Sequence, residues 1–304
     1  MQITQQKIQN PNQQSSYQPR QRNDLTLDLP NRRITPKQMN ILVNNIRSQW
    51  SIKTLQLQLN NNLIGDKGLF DLVSLLNVWY YLENISLFLS QNNFTKEGIK
   101  QIAYIQQFSK LENLTLALSK NKIGEELAIS TAQFINKQQS LKQLNLHLNE
   151  CDMGNFGAIQ VCQSIKNLTK LQQLSIYMDE NSITDNGAIN SVKLIASNKQ
   201  INQLQLEICC NKIKQNHFNS AIQYDLYYNV ISQQSAQKIL EVIGAEMNLY
   251  YLKLTLFFYS NASYHKFKKQ GYEALEPDII QKEWEIQNII DQRLKNIPNK
   301  LIIY

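Results

Sequence analysis

Apolar residues fall at alternate positions in a short run that keeps returning, each time followed by Asn and then an Ile-like residue. One copy reads Leu55, Leu57, Leu59, Asn62, Ile64; the next reads Ile85, Leu87, Leu89, Asn92, Phe94. Later copies are Leu114, Leu116, Leu118, Asn121, Ile123; Leu144, Leu146, Leu148, Cys151, Met153; Leu174, Ile176, Met178, Asn181, Ile183; and Leu204, Leu206, Ile208, Asn211, Ile213. An earlier copy, Leu25, Leu27, Leu29, Ile34, lacks the Asn. Alternation of this kind marks a strand with one buried face. The middle apolar residue steps through 27, 57, 87, 116, 146, 176 and 206. A period near thirty predicts stacked repeats in one elongated body.

Between these runs the apolar spacing turns helical. Leu69, Leu72, Val73 and Leu76 make the inward stripe of one helix. Thr35–Pro36 supplies a helix start with Pro at the first position, and Phe94–Thr95, Ile183–Thr184 and Ile231–Ser232 repeat the capping logic. Gly68, Gly98, Gly157 and Gly187 hold one repeat position, where a missing side chain would let helix and strand pack closely. From Leu206 to Leu254 the spacing lengthens to 48. Two readings fit: an eighteen-residue insertion, or a shortened extra repeat through Ile222, Tyr224, Leu226, Asn229 and Ile231. The register favours the extra repeat, with Cys209 to Ala221 too short for a full helix, giving about nine strands. After Leu256 the pattern decays. A basic stretch with His265, Lys266, Lys268 and Lys269 leads past Pro277 to an expected helix from Asp278 to about Asn296. That helix is expected to cap the open end of the stack.

The repeated phrase resembles the leucine-rich-repeat family, specifically its ribonuclease-inhibitor-like subclass. The ladder position is held by Asn62, Asn92, Asn121, Cys151, Asn181, Asn211 and Asn229, an Asn/Cys exchange familiar in that family. With leading residues Ile52, Leu82, Leu111, Leu141, Leu171 and Ile201, the phrase is two residues longer than the common form, adding a third inward residue per strand. The resemblance implies an α/β fold: a leucine-rich-repeat solenoid, or horseshoe, with a parallel concave sheet of about nine strands, convex helices and a helical C-terminal cap. The organisation expected is a flexible polar tail at 1–22, a repeat domain at 23–258, and a basic linker with capping helix at 259–304.

Composition adds little to this. Asn and Gln make up roughly a quarter of the chain, far above ordinary globular usage. They are expected at solvent positions, standing in for charged residues. Cys151, Cys162, Cys209 and Cys210 form no CxxC pair and have no metal-ligand spacing with His147, His217 or His265, so free thiols in a reducing compartment are expected. Met1 to Pro19 has no apolar core of a signal peptide, and a cytoplasmic location is the expectation. The formal charge of +7 invites a nucleic-acid reading.

The uncovered strand positions argue against that reading. One outward row runs Thr26, Gln56, Ser86, Thr115, Asn145, Ser175, Gln205, Gln223 and Lys253. The next runs Asp28, Gln58, Phe88, Ala117, His147, Tyr177, Glu207, Asp225 and Thr255. Phe88, Ala117, His147 and Tyr177 should form a mildly apolar strip, flanked by Glu207 and Asp225; the next outward position adds Asp179, with Glu150 and Glu180 at the rim. This neutral-to-acidic surface points to a protein partner, with a preference for basic or mixed-charge ones, and argues against nucleic acid. No phosphate loop, nucleophile elbow or metalloprotease motif is present in the sequence, so no catalytic residue, cofactor or metal is expected. The expected function is a non-enzymatic interaction scaffold or adaptor. The alternatives are a regulator such as a GTPase-activating protein, with Arg32 and Arg33 as candidate catalytic groups, or a structural subunit of a larger assembly.

Overall fold

A computed structural model describes residues 23–49, 51–208, 233–249, 251–255 and 299–303. Each apolar run becomes a five-residue strand: β1 (Asp24–Asp28), β2 (Thr54–Gln58), β3 (Asn84–Phe88), β4 (Asn113–Ala117), β5 (Gln143–His147), β6 (Gln173–Tyr177), β7 (Gln203–Glu207) and β8 (Tyr251–Thr255). A further strand, β9, spans Asn299–Ile303. The strands form one parallel sheet in sequence order. The register is uniform, so that Leu27, Leu57, Leu87, Leu116, Leu146, Ile176, Leu206 and Leu254 lie side by side.

Parallel neighbours need a crossover, and from β1 to β8 helices supply it. These are α1 (Pro36–Ile46), α2 (Gly65–Leu76), α3 (Lys96–Ile99), α4 (Glu125–Lys137), α5 (Gly154–Lys166), α6 (Asp185–Ser197) and α7 (Gln233–Glu246). Consecutive helices pack on one another in a single layer, and the inward strand residues close the core beneath them. The third crossover is the irregular one: α3 gives way after one turn to a 3-10 helix at Lys100–Tyr104. Gly98 stands where a Cβ would strike the Asp66 carboxylate, which accepts from the Thr95 backbone and hydroxyl. Gly187 stands in the same relation to Asn155, and Gly68 and Gly157 lie against the side chains of Met39 and Met153. The recurrent glycine therefore makes room for the preceding unit and for the helix start, not for a strand.

The third inward residue lies just past each strand. Leu59 is fully buried, and its N–H donates to the Phe88 carbonyl at 2.9 Å, so the ladder runs one step beyond β2. The leading residues Ile52, Leu82, Leu111, Leu141, Leu171 and Ile201 are all buried.

The long step resolves against a shortened repeat. Gln203 pairs directly with Tyr251, so β8 occupies the edge of β7 that a strand at 222–226 would need. The physical reason is the crossover: α7 packs on α6 and leads into β8, so β7 and β8 are direct neighbours. The ninth strand is 299–303, inside the segment expected to hold only a linker and helix. Tyr251 pairs with Asn299, so this step is again 48 residues long. Asn211, Asn229, Asp225, the Cys209–Cys210 pair, His217 and the expected helix at 278–296 lie outside the described residues.

Candidate functional site

The strand face away from the helices is the surface the rows predicted. Thr26, Gln56, Ser86, Thr115, Asn145, Ser175, Gln205 and Lys253 stand side by side in the ladder, as do Gln58, Phe88, Ala117, His147, Tyr177 and Glu207. Neighbours in a row are about 5 Å apart. That spacing lets flat rings stack: the His147 and Tyr177 centroids are 4.4 Å apart with their planes 6° from parallel. Burial holds the His147 imidazole below its ordinary value, opposed by the Glu207 carboxylate. Burial also raises the Tyr177 phenol, with Glu207 adding to the effect. Both environments favour the neutral ring, so the stack is an uncharged platform at neutral pH. Ala117 between Phe88 and His147 is only 4% exposed, so its larger neighbours cover it and the strip presents ring surface.

The acidic border differs from the expected one. Glu207 lies beside Tyr177, but its carboxylate pairs with Lys253 at 3.4 Å and accepts from the Gln205 amide at 3.2 Å. Asp179 is 6% exposed, with its backbone N–H donated to Asn149 Oδ1, so it presents no open carboxylate to a partner. After Glu207 the row continues to Thr255, not Asp225. Arg32 and Arg33 are exposed in the turn after β1, where the Arg32 N–H donates to Asn62 Oδ1 and Arg33 adopts a φ of 54°.

The amides turn out to be working groups of the scaffold. Asn62 Oδ1 accepts from the N–H of Arg32 and Ile34, while its Nδ2 donates to the carbonyls of Leu29 and Leu59. Asn181 does the same with the N–H of Cys151 and Met153 and the carbonyls of Leu148 and Asp179. Cys151 donates its thiol to the Leu118 carbonyl, and burial pushes that thiol up to about 12. The thiol replaces the amide donor but supplies no equivalent acceptor. The Ile123 N–H, matching Ile34, donates to its own Asn121 carbonyl. At the opposite rim, Gln138 and Asn198 are buried and bind backbone of the preceding unit. The expectation of solvent amides is thus corrected: many are inter-repeat clamps, because each turn leaves backbone groups that water cannot reach.

Sequence reasoning missed a second exposed cluster. Tyr80 (64%), Tyr81 (54%) and Tyr104 (66%) stand out near the α2–β3 turn and the short third crossover, with Lys110 Nζ over the Tyr81 ring at 5.5 Å. A run such as Trp79–Tyr80–Tyr81 could have flagged it, since Trp79 is buried while its neighbours are not. Among the described residues no group of three His, Cys, Asp or Glu side chains could hold a metal ion, and no helix is long and apolar enough to cross a membrane. Neither a protein-family model nor a curated protein matches the chain.

Proposed function

We propose that the chain is a non-enzymatic adaptor of the leucine-rich-repeat, ribonuclease-inhibitor-like kind, binding a protein segment on the concave face of its sheet. The observation that carries this is the aromatic strip. Phe88, His147 and Tyr177 are large rings of one outward row, His147 stacked on Tyr177, and the adjoining row from β1 to β7 is amides and hydroxyls. Anchors of that kind within a polar surround are where binding energy concentrates. The Glu207–Lys253 pair at one margin favours a partner with an apolar anchor and a polar or mixed-charge flank over one that is simply basic.

The test compares proteins captured by the intact chain with those captured by Phe88→Ala/Tyr177→Ala. Far-UV circular dichroism shows that the variant is folded, and a helix-face change such as Lys67→Glu serves as control. A defined set of partners should be lost from the double variant and kept by the control. Identical capture by all three proteins sinks the reading.

A further inference from the structure

The first edge of the sheet is built differently from every interior strand. Leu55, Leu57 and Leu59 are at most 1% exposed, whereas the equivalent Leu25, Leu27 and Leu29 are only half-buried. The neighbouring helix extends this end face. Asn40 of α1 bonds Asp71 of α2, so the helical period turns Leu42, also half-buried, to the side away from α2. The N-terminal end of the core is thus a partly open apolar surface of four leucines among the described residues.

Among the described residues nothing pairs with the backbone of β1 along the same edge. The Leu29 N–H donates to the Gln58 carbonyl, and the Asn23 carbonyl accepts from Thr54. Odd-numbered residues of β1 therefore bond to β2. In a parallel ladder the even ones, Asp24, Thr26 and Asp28, direct their N–H and carbonyl groups to the free edge. Their side chains are all exposed on the face opposite the leucines. An edge of this form is a template for one more strand.

The charges choose the occupant. A second copy pairing antiparallel about Thr26 would set Asp24 opposite Asp28 twice, and like charges directly opposite are destabilising. A strand with Lys or Arg beside Asp24 and Asp28, and apolar residues beside Leu25 and Leu27, satisfies both faces at once. Arg32 and Arg33 lie beyond Asp28, so the contact at Asp24 contributes more. We propose that the free edge of β1 binds an extended basic segment of another protein, patterned basic–apolar–polar–apolar–basic, as a tenth strand. This surface is separate from the aromatic strip and does not depend on it.

The test uses the full chain and two labelled peptides, one with a Lys-Val-Thr-Val-Lys core and one with Glu-Val-Thr-Val-Glu. The Lys peptide should bind at least about fivefold more tightly, the size expected when two cross-strand charge pairs change sign. Asp24→Lys/Asp28→Lys should reverse the order. Thr26→Pro should abolish binding of both while leaving β1 and the circular dichroism intact, because that N–H faces away from β2. Hydrogen exchange on the chain alone should show the Asp24, Thr26 and Asp28 amides unprotected. Equal affinities, or an order that survives charge reversal, overturn the proposal. Amides already protected in the monomer overturn it in favour of the chain's own segment. Self-association removed by Thr26→Pro overturns it in favour of a second copy.

Discussion

Where strands run into helices, the clamping amides stand at positions 62, 92, 121 and 181, with Cys151 completing the series. Where helices run back into strands, they stand at 77, 106, 138 and 198. Both rims solve one problem, the pairing of backbone groups that a turn leaves buried. They solve it with different regularity. The strand-to-helix turn is fixed by backbone geometry: Asn31, Asn61, Gln91, Lys120, Glu150 and Glu180 all take positive φ one residue before the ladder position or its equivalent. The helix-to-strand turn begins wherever the helix ends, and the helices run from 11 to 13 residues between α1 and α6, α3 apart. A clamp there slides with helix length and even changes direction. Asn77 binds forward to Tyr104 and Gln106, and Gln138 binds back to Gln106 and Phe108. One rim therefore behaves as a repeated part and the other as a set of local solutions.

The sharpest way to break this comparison is to truncate one clamp on each rim. Asn181→Ala strands two N–H groups and two carbonyls, and should cost about 3–5 kcal/mol in a urea unfolding measurement. Asn92→Ala should cost visibly less, because Asn92 Oδ1 already has no hydrogen-bond partner. Equal losses would mean that the bonds counted do not set stability. Gln138→Ala, at the irregular rim, should cost about 1–3 kcal/mol, and the N–H of Phe108 should lose exchange protection first.

Smaller effects sharpen the picture. Gly98→Ala pushes Asp66 off Thr95 and should cost about 1–2 kcal/mol. Thermal unfolding reads the loss, and Asp66→Ala made first should shrink it. Cys151→Asn restores the acceptor that the thiol lacks, and should raise stability by about 1 kcal/mol if the neighbouring turn can shift Ile123 back to it. No gain would show that the turn has settled around the sulfur.

The smallest expected effect is the pH response of the open face. Since the folded pKa of His147 lies below 6.5, the unfolded chain takes up the proton first as pH falls. Stability should therefore decline below about pH 6.5 through the folded pKa and level off beneath it. His147→Phe should flatten that segment of the curve, and an unchanged slope would assign it to carboxylates.

The sheet was legible because its alternation, ladder residue and period all agree, and because one-residue slips would expose every leucine. The outward rows followed from the same parity, so Phe88, Ala117, His147, Tyr177 and Glu207 were placed correctly in one row. Asp225 was placed by a register match at 222–231, which pattern alone could not distinguish from extra length in a crossover. Asp179 was misjudged for another reason: parity ends with the strand, and at Asp179 the turn buries the residue. Strand β9 was invisible because Lys300 holds the register position that Leu252 holds in β8, which breaks the alternation shared by the earlier strands. The function of the amides was hidden in composition, since an Asn in a turn looks the same whether it faces water or a neighbouring backbone.

The step length of the ladder has a consequence for how this protein is made. Through β7, each strand waits only 29 or 30 residues for the neighbour that covers it. During synthesis those units can close one after another as the chain emerges, each on a finished predecessor. The last two joins, at 48 residues each, must wait longer. For that interval the growing protein carries an uncovered parallel edge, first at β7 and then at β8. Premature termination in 209–250 would leave a body of seven strands with a raw end, the state in which a cell's quality-control machinery would meet it.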